Sequence, residues 1–148
     1  MDASELRKRL VNDRFIRRDL LGVFAADEIP PTVNRLPCLV IANTDISILP
    51  GSHWVAMYIN GEGTGYYFDS LGRPPQQYFV NFVKDNSRSW TCNTKQIQSL
   101  SSSVCGHYCI AFAYFVCRGK SMNTFLLNFN QNRDLNDVDV KHFVEKKS

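Results

Sequence analysis

Apolar residues along the chain fall into short runs whose lengths and spacing distinguish strands from helices. Cys38–Asn43 is apolar at almost every position, which predicts a central strand covered on both faces. Residues 53–59 and 66–70 are two further apolar and aromatic runs, separated by the polar, glycine-rich residues 60–65. Such a segment between two strand-like runs predicts an antiparallel hairpin.

Segments with helical spacing of apolar residues surround these strands. We expect helices at residues 4–12, 76–84, 105–117, 122–129 and 138–145. Residues 90–97 alternate well enough for another strand, which would lead directly to Gln98, and Asn136-Asp137 is a candidate N-cap for the last helix. The pattern therefore predicts an α+β fold: a small, mostly antiparallel sheet packed against a central helix that begins at Cys105.

Length and composition narrow the class of protein. The 148 residues are 44% hydrophobic and 21% charged, which is typical of one globular domain spanning residues 1–148. The apolar runs are too short to span a membrane, and the N-terminus lacks the apolar segment of a signal peptide. We therefore expect an intracellular protein with no membrane contact. An odd number of cysteines, five, argues against a disulfide framework.

Cys105 is the strongest candidate for chemistry. A polar, serine-rich segment delivers it to the predicted first turn of an apolar helix. Unpaired backbone N–H groups and the positive end of the helix dipole favour a thiolate at that place. A thiolate is a nucleophile, so a base and an orienting carboxylate should accompany it.

His53 and Asp69 are the candidates for those two roles. His53 begins the first strand of the predicted hairpin, and Asp69 lies near the end of the second. Both positions are odd, so any register that pairs odd with odd residues places both side chains on one face. A shift by one residue would separate them.

The residues that carry this chemistry resemble the adenain-like cysteine proteases. The pattern consists of His53-Trp54, then Asp69, then Gln98 seven residues before Cys105-Gly106. It resembles the catalytic pattern of adenovirus endopeptidase and of the proteases of Maverick/Polinton elements and related DNA viruses. The same pattern resembles that of the clan that includes the SUMO-specific proteases. The resemblance implies a papain-like clan whose catalytic residues follow the permuted order His-Asp-Gln-Cys. It differs from the adenovirus enzymes in one catalytic residue, since Asp69 stands where they carry glutamate.

The resemblance also implies roles for residues that the sequence pattern alone leaves open. His53 would be the base, Asp69 the orienting acid, Cys105 the nucleophile and Gln98 a donor to the oxyanion. Trp54 and Gly106 would line a narrow substrate channel, which implies cleavage of protein substrates at glycine-containing sites.

The family further implies a setting for this activity. We expect a monomer that acts in virion maturation on capsid or core precursors, in the virion or host nucleus. No cofactor is needed for the chemistry, although DNA and an activating peptide serve adenovirus enzymes. The basic residues near the N-terminus could contact DNA or form an ordinary solvated helix face; they are Arg7, Lys8, Arg9, Arg14, Arg17 and Arg18.

Other interpretations use the same residues. Cys105, His107 and Cys109 are close in sequence, but on a helix His107 would point away from the other two, so we expect no metal site. A protease that releases ubiquitin-like proteins from their targets is an alternative, because their tails also end in glycine. A DNA-binding scaffold without catalytic activity is the alternative from another class, although all four catalytic positions are filled.

Overall fold

A computed structural model describes residues 1–45 and 53–147. Its sheet contains five strands in the spatial order of the chain. The strands are β1 (Leu20–Phe24), β2 (Cys38–Asn43), β3 (Trp54–Ile59), β4 (Thr64–Phe68) and β5 (Ser89–Cys92). The sequence also predicts a loop at residues 43–52, and the part of it beyond Asp45 lies outside the described residues.

The central strand β3 runs antiparallel to both of its neighbours, β2 and β4, while each edge strand runs parallel to its neighbour. Parallel neighbours need a long crossover connection. Residues 25–37 supply it between β1 and β2, and the helix α3 (Gln77–Asn86) supplies it between β4 and β5. The predicted α+β class, with an antiparallel centre of the sheet, is confirmed.

The hairpin between β3 and β4 sets the register on which the predicted site depends. Asn60 folds its side-chain oxygen back onto the N–H groups of Glu62 and Thr64, and Gly63 takes a positive φ of 87° that favours glycine. The resulting register pairs Ala56 with Phe68, so even residues pair with even and odd with odd. The condition for placing positions 53 and 69 on one face is therefore met.

Helices occupy most of the remaining described residues. Besides α3, they are α1 (Ala3–Val11), α2 (Arg14–Asp19), α4 (Cys105–Val116), α5 (Met122–Leu126) and α6 (Arg133–Lys147), with a short 3₁₀ helix at Ala26–Glu28.

Two expectations about these elements were wrong. The strand predicted at residues 90–97 ends at Cys92, because the Asn93 side chain then bonds the backbone of Asp69 in place of the strand ladder. Gln98 is therefore delivered by an irregular segment. Asn136-Asp137 does not cap α6, because Asn132 already accepts the Leu135 N–H and starts the helix earlier.

Apolar side chains cover the sheet on both faces. Leu39 and Ile41 of β2 face a cluster that includes α1, α4, α5 and α6, whereas Val40 and Ala42 face a second cluster formed with α3. This arrangement explains why β2 is apolar at consecutive positions, as the sequence indicated. Among the described residues, no helix combines the length and the hydropathy needed to cross a membrane.

Candidate active site

The first residue of α4 is Cys105, as the sequence predicted. The preceding residue, Val104, has no polar side chain with which to cap the helix. Two backbone N–H groups point at the sulfur instead: that of Trp54, 3.4 Å from Sγ, and that of Gly106. These donors favour the negatively charged thiolate over the thiol.

His53 and Asp69 lie next to each other at the end of the hairpin. His53 immediately precedes β3 and Asp69 immediately follows β4, and His53 Nε2 lies 2.6 Å from Asp69 Oδ1. His53 Nε2 is hydrogen-bonded to the carboxylate, so the hydrogen bond between His53 and Cys105 uses the other ring nitrogen, Nδ1. The structure thus brings Cys105, His53 and Asp69 into one hydrogen-bonded chain.

The protonation states of this chain are shifted in opposite directions. Burial alone would lower the pKa of His53, but the hydrogen bonds that the ring makes to Asp69 and Cys105 outweigh it and raise that pKa to about 9. Burial alone would raise the pKa of Cys105, but the hydrogen bonds from His53 and the Trp54 N–H lower it below the ordinary thiol value. Both shifts favour a thiolate–imidazolium pair near neutral pH.

Asn93 fixes the backbone of Asp69, a role that sequence reasoning missed. Its side-chain oxygen accepts the Asp69 N–H at 2.9 Å, and its Nδ2 donates to the Asp69 carbonyl oxygen at 2.6 Å. Asp69 Oδ1 also accepts the Leu71 N–H at 2.8 Å. Hydrogen bonds therefore hold both the backbone and the carboxylate of Asp69 in place beside His53. An asparagine inside the run predicted as a strand was the available signal, because asparagine is disfavoured within strands.

Gln98 is buried and lies at the same cleft as Cys105. Ser70 Oγ donates to Gln98 Oε1, and the Ser70 carbonyl accepts the Gln98 backbone N–H. The amide nitrogen Nε2 donates to the carbonyl oxygen and to the hydroxyl of Ser102, at 3.2 and 3.1 Å. With its oxygen bonded to Ser70, the side chain presents its N–H groups rather than its oxygen to the loop beside the thiol.

Gln96, two residues before Gln98, is half-buried. Its Nε2 donates to the Gln98 carbonyl oxygen at 2.8 Å. Gln96 therefore helps to hold the backbone of Gln98, which the sequence did not indicate.

A cleft of about 430 Å³ runs past the thiol. Trp54 and Gly106 line it beside Cys105, His53 and Gln98. A Cβ atom added to Gly106 would lie 3.4 Å from Met1 Sδ and 3.6 Å from Trp54 Cδ1, so a larger residue at this position would fill the space beside both side chains. Five of the six sequence-predicted site residues therefore line one cleft, and the sixth, Asp69, is bonded to His53 behind it.

Three of the other four cysteines, Cys38, Cys109 and Cys117, are buried away from this arrangement. Burial raises the pKa of Cys109 well above the ordinary thiol value and raises that of Cys38 to about 11. Burial also lowers the pKa of His107, so this histidine favours the neutral form. In residues 1–45 and 53–147, no group of three or more potential ligands is placed to hold a metal ion.

The chain is similar in sequence to a viral protein. No protein-family model matches the chain. A protein of Acanthamoeba polyphaga mimivirus whose name assigns it as a thiol protease is 27% identical over 118 residues, which is 73% of this chain and 39% of the relative. The chain thus spans about two fifths of that relative's length.

Solved structures of proteases share the fold. A protease of ASFV matches with a TM-score of 0.62 at 15% identity, over 89% of this chain and 64% of that protein. ChlaDub1 from Chlamydia trachomatis matches with a TM-score of 0.52 at 18% identity, over 75% of this chain and 58% of that protein. The chain therefore shares the fold of the ASFV protease and of ChlaDub1. The resemblance to viral cysteine proteases inferred from the sequence is confirmed at the level of the fold, and the name of the mimivirus relative, thiol protease, agrees with the predicted enzyme class.

Proposed function

We propose that this protein is a cysteine endopeptidase of viral or mobile-element origin that cleaves precursor proteins at glycine-containing sites. The observation that carries the proposal is the chain of hydrogen bonds from Cys105 at the start of α4 through His53 to Asp69. Nucleophile, base and orienting acid are the set that acyl transfer to a thiol requires.

The first half of the reaction uses the thiolate. Cys105 Sγ attacks the scissile carbonyl carbon, and the carbonyl oxygen takes up negative charge. The Cys105 backbone N–H, which has no partner one turn earlier in the helix, and Gln98 Nε2 donate to this oxygen. For Gln98 to do so, the oxyanion replaces one of the two Ser102 acceptors. The imidazolium of His53 then gives its proton to the leaving amine, and the C–N bond breaks.

The second half releases the product. His53 is now neutral and accepts a proton from a water molecule, which attacks the thioester carbon. The carbon–sulfur bond breaks, the peptide leaves with a new carboxyl group, and the thiolate–imidazolium pair is restored. Asp69 keeps the ring oriented in both halves and stabilises its charged form.

The cleft supports a small residue next to the scissile bond. In this proposal Trp54 and Gly106, which both line the cleft that contains Sγ, exclude a bulky side chain there. Glycine is the residue that fits best there. The similarity to the mimivirus and ASFV proteins supports a viral setting, and we propose virion or host-cell precursor proteins as substrates.

Release of ubiquitin-like proteins is a second candidate that the same narrow cleft supports. Glycine-terminated tails would thread past Trp54 as well as an internal glycine site would. The two candidates differ in the leaving group beyond the scissile bond: a further stretch of chain in a precursor, or a lysine-linked target in a conjugate.

Cleavage of a peptide library tests the proposal and separates the candidates. We expect cleavage next to glycine by the intact chain, and none by Cys105→Ala. Cys109→Ala is the matched control because Cys109 is buried one turn further along α4. Cleavage of ubiquitin-like fusions but of no internal glycine site would favour the second candidate. The absence of any thiol-dependent cleavage would contradict both.

We extend the proposal to non-specific contact with DNA as an activator. The supporting observation is a group of exposed basic residues on α1 and α2, namely Arg7, Lys8, Arg14 and Arg17. Cleavage rates with and without duplex DNA, at increasing salt, are the test. Activation that fades with salt, and that is lost in Arg14→Ala/Arg17→Ala, would support the contact. Rates independent of DNA would contradict it.

A further inference from the structure

Two side chains of α6 reach the segment that carries Gln98. Asn136 is fully buried, and its Nδ2 donates to the Ile97 carbonyl oxygen at 3.1 Å. The Asp137 carboxylate accepts the Ser99 N–H, with Oδ2 at 3.3 Å. These two contacts hold the backbone immediately before and immediately after Gln98.

Tyr108 connects this arrangement to the nucleophile's own helix. It lies three residues after Cys105 on α4, and its hydroxyl is 2.7 Å from Asp137 Oδ1 and 3.2 Å from the Ile97 carbonyl oxygen. The hydroxyl has one hydrogen, and it donates this hydrogen to the nearer acceptor, the Asp137 carboxylate. Burial and the Asp137 carboxylate raise the pKa of Tyr108, so it remains a donor. The Ile97 carbonyl keeps its bond from Asn136.

The segment around Gln98 has no strand or helix to fix it, because β5 ends at Cys92 and α4 begins at Cys105. Its position therefore depends on such side-chain contacts. Ser70 holds the Gln98 backbone N–H from the sheet side. On the opposite side, Asp137 accepts the Ser99 N–H, and Tyr108 of α4 donates to Asp137. These contacts link the position of Gln98 to α4, the helix that carries the thiol.

We infer that Tyr108 and Asp137 are positioning residues that set the distance between the Gln98 amide and the Cys105 thiol. This inference rests on the proposed function, because it requires Gln98 to donate to the oxyanion in the transition state. Donors to an oxyanion lose most of their value when displaced by about 1 Å. The two residues act only through Gln98 and do not touch the substrate.

Asp137→Ala is the main test, with Asp139→Ala as the matched control because Asp139 is exposed on the same helix. We expect Asp137→Ala to lower kcat by about tenfold, less than the roughly 10²–10³ for loss of an oxyanion donor itself. KM should change less than about twofold, because ground-state binding does not use the oxyanion donor. Alkylation of Cys105 by iodoacetamide, which builds no oxyanion, should keep its rate. Asp139→Ala should match the wild type in every measurement.

A double variant separates positioning from general damage to the fold. In a Gln98→Ala background, Asp137→Ala should cause no further loss of kcat, because the group it positions is already gone. Tyr108→Phe keeps the ring in the core and serves as the second variant if Asp137→Ala fails to fold. It should show the same selective loss of kcat.

Three results would overturn the inference: an unchanged kcat in both variants, a loss that persists undiminished in the Gln98→Ala background, or a matching loss of alkylation. A wild-type protein that cleaves no peptide would overturn the proposed function, and this inference with it. An active wild type with an unchanged kcat in both Asp137→Ala and Tyr108→Phe would overturn the inference alone.

Discussion

Replacing Asp69 with asparagine removes the negative charge beside His53 but keeps an oxygen in the place of Oδ1. That oxygen accepts hydrogen bonds from His53 Nε2 at 2.6 Å and from the Leu71 N–H at 2.8 Å. An asparagine oxygen can accept both, so we expect the variant to fold with the ring in place. Burial favours neutral His53, and without the Asp69 charge the pKa should fall from about 9 towards its ordinary value of 6.5.

The size of the effect depends on the protonated fraction of His53. With a pKa of about 9, the ring is almost fully protonated at pH 7.5; with a pKa of 6.5, about 10% is protonated at pH 7.5 and about 1% at pH 8.5. The leaving amine takes its proton from this imidazolium. If the pKa returned to 6.5, kcat/KM of Asp69→Asn would fall about tenfold at pH 7.5 and on the order of 100-fold at pH 8.5.

The assay is the pH profile of kcat/KM for a glycine-containing peptide. The wild type should lose activity on the alkaline side as pH rises through about 9, where His53 loses its proton. In Asp69→Asn this limb should move to lower pH, and the deficit should shrink as the pH falls towards about 6. Asp139→Asn, at an exposed site, should leave the profile unchanged. A deficit of equal size at every pH, or an unmoved alkaline limb, would refute the reasoning.

Two further substitutions test the surroundings of this pair. Gln98→Ala should lower kcat by roughly 10²–10³ with little change in KM. Gln96→Ala, which removes one hydrogen bond to the Gln98 backbone, should lower kcat several-fold at most. Near-normal turnover in Gln98→Ala would contradict the role of Gln98 as a donor to the oxyanion. Gly72→Ala should lower the free energy of unfolding by about 1–3 kcal/mol in urea titrations, because Gly72 has a φ of 69° and a Cβ there would lie 2.7 Å from the Thr94 carbonyl oxygen. Gly61→Ala, where a Cβ meets open space, is the control, and an equal loss in both variants would contradict this explanation.

The hairpin and the adjacency of His53 and Asp69 could be predicted because they depend on local rules. A glycine-rich turn between two apolar runs fixes an antiparallel pairing, and the odd positions of His53 and Asp69 then decide the shared face. The placement of Cys105 is also a local matter, since the polar segment ends where the apolar helix begins. These inferences needed no knowledge of distant contacts.

The groups that support the site could not be predicted in the same way. Asn93 and Asp69 are 24 residues apart, and Asp137 and Tyr108 are 29 apart, yet each pair is joined by a hydrogen bond. A single polar side chain that bonds to distant backbone leaves no periodic pattern in the sequence. The same fact explains the error at residues 93–97, where alternation continued but Asn93 had already ended the strand.

The most direct test of the account is competitive alkylation of the native protein with iodoacetamide at about pH 6.5, read by mass spectrometry. Cys105 should be labelled well ahead of the four other cysteines, because its pKa is lowered while burial raises that of Cys38, Cys109 and Cys117. The preference should weaken in His53→Ala and remain in His107→Ala. First labelling of Cys92 or Cys109, with Cys105 unmodified, would contradict the assignment of the nucleophile and the mechanism built on it.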